Sequence, residues 1–164
     1  MKKLLTLTVN GERIEAQVEP NVTLIDFLRD QLGLTGTRAA CDTGACGACT
    51  VIIDGEPILS CMMLAIRCRD KDITTIEGLA RDGKLHPLQE SAIMQDAVQC
   101  GFCTAGWLLS AKVLLDRNPS PSREEIRTAI AGNLCRCASY QKIEESILAC
   151  AEKGRIENVS GSVV

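Results

Sequence analysis

Aromatic side chains are scarce in this sequence, in which one Trp, one Tyr and two Phe make up 2% of the 164 residues. Few flat rings are therefore available for nucleic-acid bases to stack on. The formal net charge of −3 provides no general attraction for phosphate backbones or anionic membranes. Nucleic acid is accordingly not expected as a partner.

Long apolar runs are also missing. No segment approaches the roughly 18–20 continuous apolar residues that cross a bilayer, so no membrane span is predicted. The opening stretch, MKKLLTLTVNGERIEA, is interrupted by threonines and is followed by no small-residue cleavage site. It is interpreted as a strand leading into a turn at Asn10-Gly11, not as a signal peptide, and a cytoplasmic location is expected.

The usual groups of an enzyme active site are sparse as well. The single histidine, His86, stands beside Pro87 at a predicted helix start, where it is expected to be a cap or a surface residue. The sequence has no Ser/His/Asp set and no dinucleotide-binding fingerprint. No catalytic residue is therefore predicted, and this chain is not expected to carry out substrate chemistry itself.

Cysteine, in contrast, is abundant, with ten residues. In a reducing compartment, clustered cysteines bind metal or perform redox chemistry more often than they form structural disulfides. The expected cytoplasmic location and the cysteine count together favour metal.

The first half of the chain shows strand patterns around one helix. Residues 4–18 are predicted to form a β-hairpin around Asn10-Gly11, which suits the left-handed positions of a tight turn. Thr23 is predicted to cap a helix that ends at Gly33. A second hairpin and a last strand are predicted at residues 50–60 and 73–76. This order predicts a small α+β sheet domain over residues 1–80.

The second half has helical spacing. Residues 81–86 are interpreted as a linker, and residues 87–152 as a helical domain of four helices. Leu85, Leu88 and Ala92 are predicted to share one helix face, and Ser122 with Glu125 forms a capping box. Residues 153–164 are predicted to be a polar tail, extended or loose from Glu152 onward.

The first cysteine group lies in the segment CDTGACGACTV and is completed beyond the second hairpin. The spacing C-x4-C-x2-C with a later fourth cysteine is typical of plant-type ferredoxins, which bind a 2Fe–2S cluster. Gly44 and Gly47 allow the unusual backbone angles of a loop that wraps such a cluster. A zinc site would more often show two C-x2-C pairs. The predicted ligands are Cys41, Cys46, Cys49 and Cys61.

The second group consists of a C-x2-C pair, Cys100 and Cys103, and a C-x-C pair, Cys135 and Cys137. By itself the first pair could be a dithiol redox motif or half of a zinc site. Both pairs are predicted to lie in loops at helix ends, which an antiparallel helix bundle could bring together. The residues alone favour a second cluster but leave those alternatives open.

The complete pattern resembles the small iron–sulfur subunit of the molybdenum hydroxylases, which include xanthine dehydrogenase, aldehyde oxidoreductase and carbon monoxide dehydrogenase. The matching stretches include CDTGACGACTV, QCGFCTAG, NPSPSREEI and AGNLCRCASY, within residues 3–150. The family often has Pro in place of Ala105 and Thr-Gly in place of Ala138-Ser139, and neither difference removes a ligand. The resemblance implies a plant-ferredoxin-like β-grasp domain followed by a four-helix bundle with a second 2Fe–2S cluster.

The resemblance also implies a function and partners. Such a subunit relays electrons between a large subunit with a molybdenum–pterin cofactor and a medium FAD-binding subunit or another acceptor. Gln99 and Cys137 are implied as contacts to the pterin on the large subunit. The chain would be part of a hetero-oligomer. The alternatives are a free-standing two-cluster ferredoxin and a zinc-stabilised binding module.

Four further residues are given structural interpretations. Cys68 and Cys150 fall outside both groups and are predicted to be small buried hydrophobic residues. Trp107 is predicted to lie in the core or in an interface. Arg136, between two ligand cysteines, is expected to offset their negative charge.

Overall fold

The N-terminal half is built on a mixed five-stranded sheet, seen in a computed structural model that describes the backbone of residues 1–160 and the side chains of residues 1–154. The strands are β1 Lys3–Val9, β2 Glu12–Val18, β3 Thr50–Ile53, β4 Glu56–Leu59 and β5 Asp72–Thr74. Their spatial order is β2-β1-β5-β3-β4. β1 and β5 pair in parallel, and the other neighbours are antiparallel. Both predicted hairpins are confirmed.

One helix packs against this sheet. α1, Leu24–Asp26, passes directly into a π-helical turn, Phe27–Gln31. The predicted cap is confirmed, because Thr23 Oγ1 accepts a hydrogen bond from the Asp26 amide at 3.3 Å. Leu24, Phe27 and Leu28 are fully buried in one core with the inner faces of β1 and β3. The change to a π-turn was not foreseen.

Four helices follow: α2 Pro87–Met94, α3 Thr104–Arg117, α4 Arg123–Ile130 and α5 Tyr140–Ser160. His86 is a cap, as predicted, since its Nδ1 accepts from the Leu88 amide at 3.2 Å. The capping box of Ser122 and Glu125 is also confirmed. The prediction that Leu85 lies on a helix face is wrong: α2 begins only at Pro87, and Leu85 is 44% exposed.

The helices enclose a second core that contains the fully buried Trp107, Ile126 and Ile147. α3 also packs on β3, where Leu109 and Val113 meet Ile52. The sheet and the helices are therefore joined by apolar contacts, and the overall class is α+β, as predicted.

The C-terminal segment differs from its prediction. α5 continues to Ser160, so an extended tail from Glu152 is wrong over residues 152–160. The rest of the predicted tail, residues 161–164, lies outside the described residues. Among residues 1–160, no helix is both long and apolar enough to span a bilayer.

Candidate metal centres

The first four cysteines meet at one end of the sheet. Cys41 and Cys46 lie in the loop before β3, and Cys49 directly precedes that strand. The β3–β4 hairpin then returns the chain, so that the Ser60 amide and hydroxyl both donate to the Cys49 carbonyl, at 3.2 and 2.7 Å. This places Cys61 beside Cys49. The four thiols are referred to below as the first quartet.

The loop of the first quartet uses left-handed backbone angles at two glycines. Gly44 has φ +76° and Gly47 has φ +71°. Gly47 is also pressed against a neighbouring loop, since a Cβ there would come within 2.2 Å of the Gly132 carbonyl oxygen. Glycine is required at position 47 for two reasons, the backbone conformation and the close approach.

The thiols of the first quartet form two hydrogen-bonded pairs, Cys46 to Cys41 and Cys61 to Cys49. The backbone amide of Thr43, followed by the Cys46 thiol, lowers the pKa of Cys41 to about 6. Burial, followed by the Cys49 thiol, raises the pKa of Cys61 to about 11. In each pair one thiol donates and the other accepts. A bound metal favours the thiolate form, so it would deprotonate the donors as well.

The second quartet forms between the ends of helices. Cys100 and Cys103 precede α3, while Cys135 and Cys137 lie between α4 and α5. Cys137 Sγ donates to Cys100 Sγ at 3.5 Å. Burial, followed by the thiol of Cys135, raises the pKa of Cys103 to about 12. Two thiol pairs again result, Cys137 with Cys100 and Cys103 with Cys135.

The donor set and its pairing suit a two-iron group. Among the described residues, no three His, Cys, Asp or Glu side chains converge tightly enough to hold a single ion. Each quartet is instead a gathering of two thiol pairs. A 2Fe–2S cluster takes four cysteine thiolates, which is the number of thiols that each quartet supplies.

Backbone and side-chain contacts join the two quartets. The Leu134 amide donates to the Cys46 carbonyl at 2.8 Å. Asn133 Nδ2 donates to the Gly47 carbonyl at 2.9 Å and to Thr50 Oγ1 at 3.2 Å. Gly106, on α3, approaches the same Gly47 carbonyl so closely that a Cβ would lie 2.3 Å from it. These contacts are called the junction below.

Two family models match overlapping parts of the chain. Residues 7–80 match a 2Fe-2S iron-sulfur cluster binding domain, and residues 75–148 match a 2Fe-2S binding domain. The nicotinate dehydrogenase small FeS subunit of Eubacterium barkeri is 47% identical over 152 residues, which cover 93% of this chain and 97% of that subunit.

The nicotine 6-hydroxylase small subunit of Paenarthrobacter nicotinovorans is 46% identical over 157 residues, which cover 96% of this chain and 93% of that subunit. The chain belongs to the small iron–sulfur subunits of the molybdenum hydroxylases. A chain in the crystal structure of quinoline 2-oxidoreductase from Pseudomonas putida 86 has the same fold, with a TM-score of 0.90 and 46% identity. That match covers 94% of this small subunit and 96% of the other chain. The resemblance inferred from the cysteine spacing is confirmed.

The other residues singled out in the sequence lie as follows in the small subunit. Gln99 is exposed, and its Nε2 donates to Ser139 Oγ at 2.8 Å. Trp107 is 1% exposed, which places it in the core. Cys68 and Cys150 are buried within the two apolar cores, as predicted. Arg136 is exposed, and its effect on the neighbouring thiolates stays a prediction.

No role in either quartet was assigned to Ser139 from the sequence. Its carbonyl accepts from the Ile143 amide at 2.9 Å, which fits the position before α5. Burial alone would raise the pKa of the Cys135 thiol. Hydrogen bonds, among them those from the Ser139 backbone and side chain, outweigh burial and leave that pKa lowered. Ser139 therefore belongs to the second quartet's surroundings.

The junction was missed by sequence reasoning. Neither the Gly132-Asn133 pair nor Gly106 was assigned a contact with the first quartet from the sequence. A glycine inside an otherwise apolar helix was the available signal, since it costs helix stability and indicates a close approach. Its contact is with Gly47, 59 residues away along the chain, which local pattern cannot identify.

Proposed function

We propose that each quartet holds one 2Fe–2S cluster and that the chain relays electrons through both within a molybdenum-dependent oxidoreductase. The first cluster would be held by Cys41, Cys46, Cys49 and Cys61. The second would be held by Cys100, Cys103, Cys135 and Cys137. A bound 2Fe–2S cluster supplies a one-electron redox centre. The chain's own residues fix the separation of the two centres, shield them and place hydrogen-bond donors around the thiolates.

The junction is the observation that carries this proposal. Cys46 belongs to the first quartet and Cys135 to the second. The route from Cys46 Sγ to Cys135 Sγ follows covalent bonds except for one hydrogen bond, from the Leu134 amide to the Cys46 carbonyl. A binding module stabilised by two separate metals has no need for such contact. A relay does, because electron transfer between centres depends on their proximity.

The second quartet is suited to meet the large subunit. Cys100 and Gln99 are exposed, and exposed apolar side chains lie nearby, with Ile93 60%, Met94 70% and Phe102 44% exposed. Exposed apolar side chains in such number are typical of a surface that is covered in a permanent complex. We propose that the large molybdopterin-binding subunit docks on this face, with Gln99 and Cys137 next to its pterin.

The first quartet is suited to pass electrons onward. Cys61 lies on a surface with Met62, 64% exposed, and Leu64, 39% exposed. We propose that a medium FAD-binding subunit, or another acceptor, meets the chain on this side. The complete assembly would then be a hetero-oligomer in the cytoplasm, with this chain between two partners.

A division of the fold into two domains would agree with this arrangement. We propose that residues 1–80 act as a β-grasp ferredoxin-like domain and residues 87–152 as a four-helix bundle, with residues 81–86 as the linker. Residues 81 and 84 close a turn by two backbone hydrogen bonds of 3.0 and 2.8 Å. Each proposed domain supplies one quartet, and the junction joins them.

Metal analysis and spectroscopy test the proposal. The anaerobically purified chain should contain about four irons and four sulfides and, after dithionite reduction, show two distinct 2Fe–2S paramagnetic resonance signals. Cys46→Ser should remove one signal and Cys103→Ser the other. The matched control is Cys68→Ala, at a fully buried cysteine outside both quartets, which should keep both signals.

Other outcomes identify the alternatives. A colourless protein that contains zinc would contradict the relay and indicate a structural module. A protein with both clusters that stays monomeric when co-expressed with the large subunit would indicate a free-standing ferredoxin.

A further inference from the structure

Trp107 carries a buried donor that has no acceptor. Among the side chains that the structure describes, two buried polar atoms lack a hydrogen-bond partner, Trp107 Nε1 and Thr37 Oγ1. A threonine hydroxyl can donate or accept, whereas an indole N–H can only donate. Trp107 is 1% exposed, so bulk water is not available as its acceptor. An unpaired buried donor is costly in a folded protein and calls for an explanation.

Trp107 lies on a face of α3 that begins at the second quartet. Cys103 immediately precedes this helix, and Trp107 follows it by four residues, so their side chains lie one above the other. The Trp107 amide donates to the Cys103 carbonyl at 3.3 Å, which extends the helical hydrogen bonding back to this cysteine. The face packs into the helical core and consists of Cys103, Trp107, Ala111 and Leu114.

The direction of the Trp107 side chain brings its indole toward the thiols. Long side chains on a helix point back toward its N-terminus, over the preceding turn, and for Trp107 that turn begins at Cys103. Three cysteines of the second quartet belong to the core that contains Trp107 or pack against it, namely Cys103, Cys135 and Cys137. The indole is thus directed at the end of the core where sulfur atoms are concentrated, and the sulfurs of an iron–sulfur cluster accept hydrogen bonds.

We propose that Trp107 Nε1 donates to a sulfur of the second 2Fe–2S cluster and thereby raises the reduction potential of that cluster. This inference rests on the proposed function. Reduction adds one electron to the cluster. A donor to the sulfurs stabilises the added negative charge, while the hydrogen stays on the indole nitrogen. Such a donor has a larger effect in a buried site than in water.

The first test needs no substitution. Trp107 is the only tryptophan of the chain, so isotope labelling of tryptophan at the indole nitrogen reports on this side chain alone. The complete chain would be purified anaerobically, reduced, and studied by electron–nuclear double resonance at the signal of each cluster. The second cluster should show coupling to the labelled nitrogen and to one proton that exchanges with deuterium. The first cluster should show neither.

The second test is a redox titration followed by the separate resonance signals of the two clusters. Trp107→Phe keeps an aromatic ring but no donor. It should make reduction of the second cluster about tenfold less favourable, since a hydrogen bond to a charged group is lost. A tenfold change equals ~59 mV for a one-electron couple. The first cluster should keep its potential.

The matched control is Leu109→Ala on the same helix. It removes buried volume where α3 packs on β3, but it removes no donor. Both potentials should stay unchanged in this variant.

The outcomes separate this inference from the proposed function. Wild-type protein without two 2Fe–2S signals contradicts the proposed function itself. If both signals are present, absence of the indole coupling at the second cluster overturns the inference, as does an unchanged second potential in Trp107→Phe. An equal shift in Leu109→Ala also overturns it, because packing would then be the cause. If Trp107→Phe fails to bind the second cluster, the coupling measured in the wild-type protein decides.

Discussion

Substitution of Gly47 by alanine tests the junction directly. The new Cβ would lie 2.2 Å from the Gly132 carbonyl oxygen and 2.7 Å from Asn133 Nδ2, so the two loops must separate. Separation would break the hydrogen bonds from Leu134 to Cys46 and from Asn133 to Gly47. Stability and communication between the quartets should both fall.

The magnitude follows from three contributions. A left-handed backbone costs alanine about 1–2 kcal/mol. The two lost hydrogen bonds cost about 1 kcal/mol each. Asn133 is 6% exposed, and a buried amide without its partner costs about 1–3 kcal/mol more. Together these predict a loss of about 4–7 kcal/mol, equivalent to a fall in Tm of roughly 8–28 °C for a chain of this size.

The matched control is Gly55→Ala. Gly55 has φ +83°, and a Cβ there would meet no heavy atom within 4 Å. It therefore tests the backbone cost alone, about 1–2 kcal/mol. Thermal unfolding of the cluster-loaded proteins measures both variants, and the magnetic interaction between the reduced clusters reports on their separation. A Gly47→Ala protein no less stable than Gly55→Ala, with an unchanged interaction, would refute the close contact.

Three further predictions concern the loops and helices that support the quartets. Ala138→Gly should stabilise the protein by about 0.5–1 kcal/mol, measured by thermal unfolding, because glycine removes the left-handed strain at φ +59° at some entropic cost. Glu144→Gln should destabilise the protein by about 2–4 kcal/mol in urea unfolding at pH 7, because Glu144 is 5% exposed and accepts hydrogen bonds from Arg123 and Arg127 of α4. The control is the exposed ion pair of Lys142 with Glu145, where Glu145→Gln should change stability by less than about 1 kcal/mol. In cluster-free protein at pH 7, iodoacetamide should modify Cys41 before Cys61 or Cys103, because the thiolate is the reactive form and the pKa of Cys41 is about 6. The rate of Cys41 modification, followed by peptide mass mapping, should rise between pH 5 and pH 7 and then level off. Equal modification of all three thiols would contradict this prediction.

Local pattern was sufficient for most elements of the fold. The turn at Asn10-Gly11, the cap at Thr23 and the capping box at Ser122 depend on neighbours within a few residues, so their sequence signals were complete. Local pattern did not predict the end of the last helix. The polar residues from Glu152 onward suggested a loose tail, whereas α5 continues to Ser160.

The family and the cysteine sets also followed from the sequence. Spacing such as C-x4-C-x2-C reflects how a short loop must wrap a cluster, and this constraint acts within nine residues. The structure gathers each predicted set into two thiol pairs. Their role as ligands remains the proposal that the cysteine variants test.

The sequence by itself therefore identified the two cysteine groups, and the spacing within the first predicted a cluster, whereas that within the second left other kinds of site open. Only the tertiary structure decided how the quartets relate to each other. Asn133 and Gly47 are 86 residues apart, and their contact depends on α3 packing against β3. The same holds for Ser139, since its hydroxyl meets Gln99 from 40 residues away. Contacts of this kind arise when separately encoded elements pack together, and no local spacing records them.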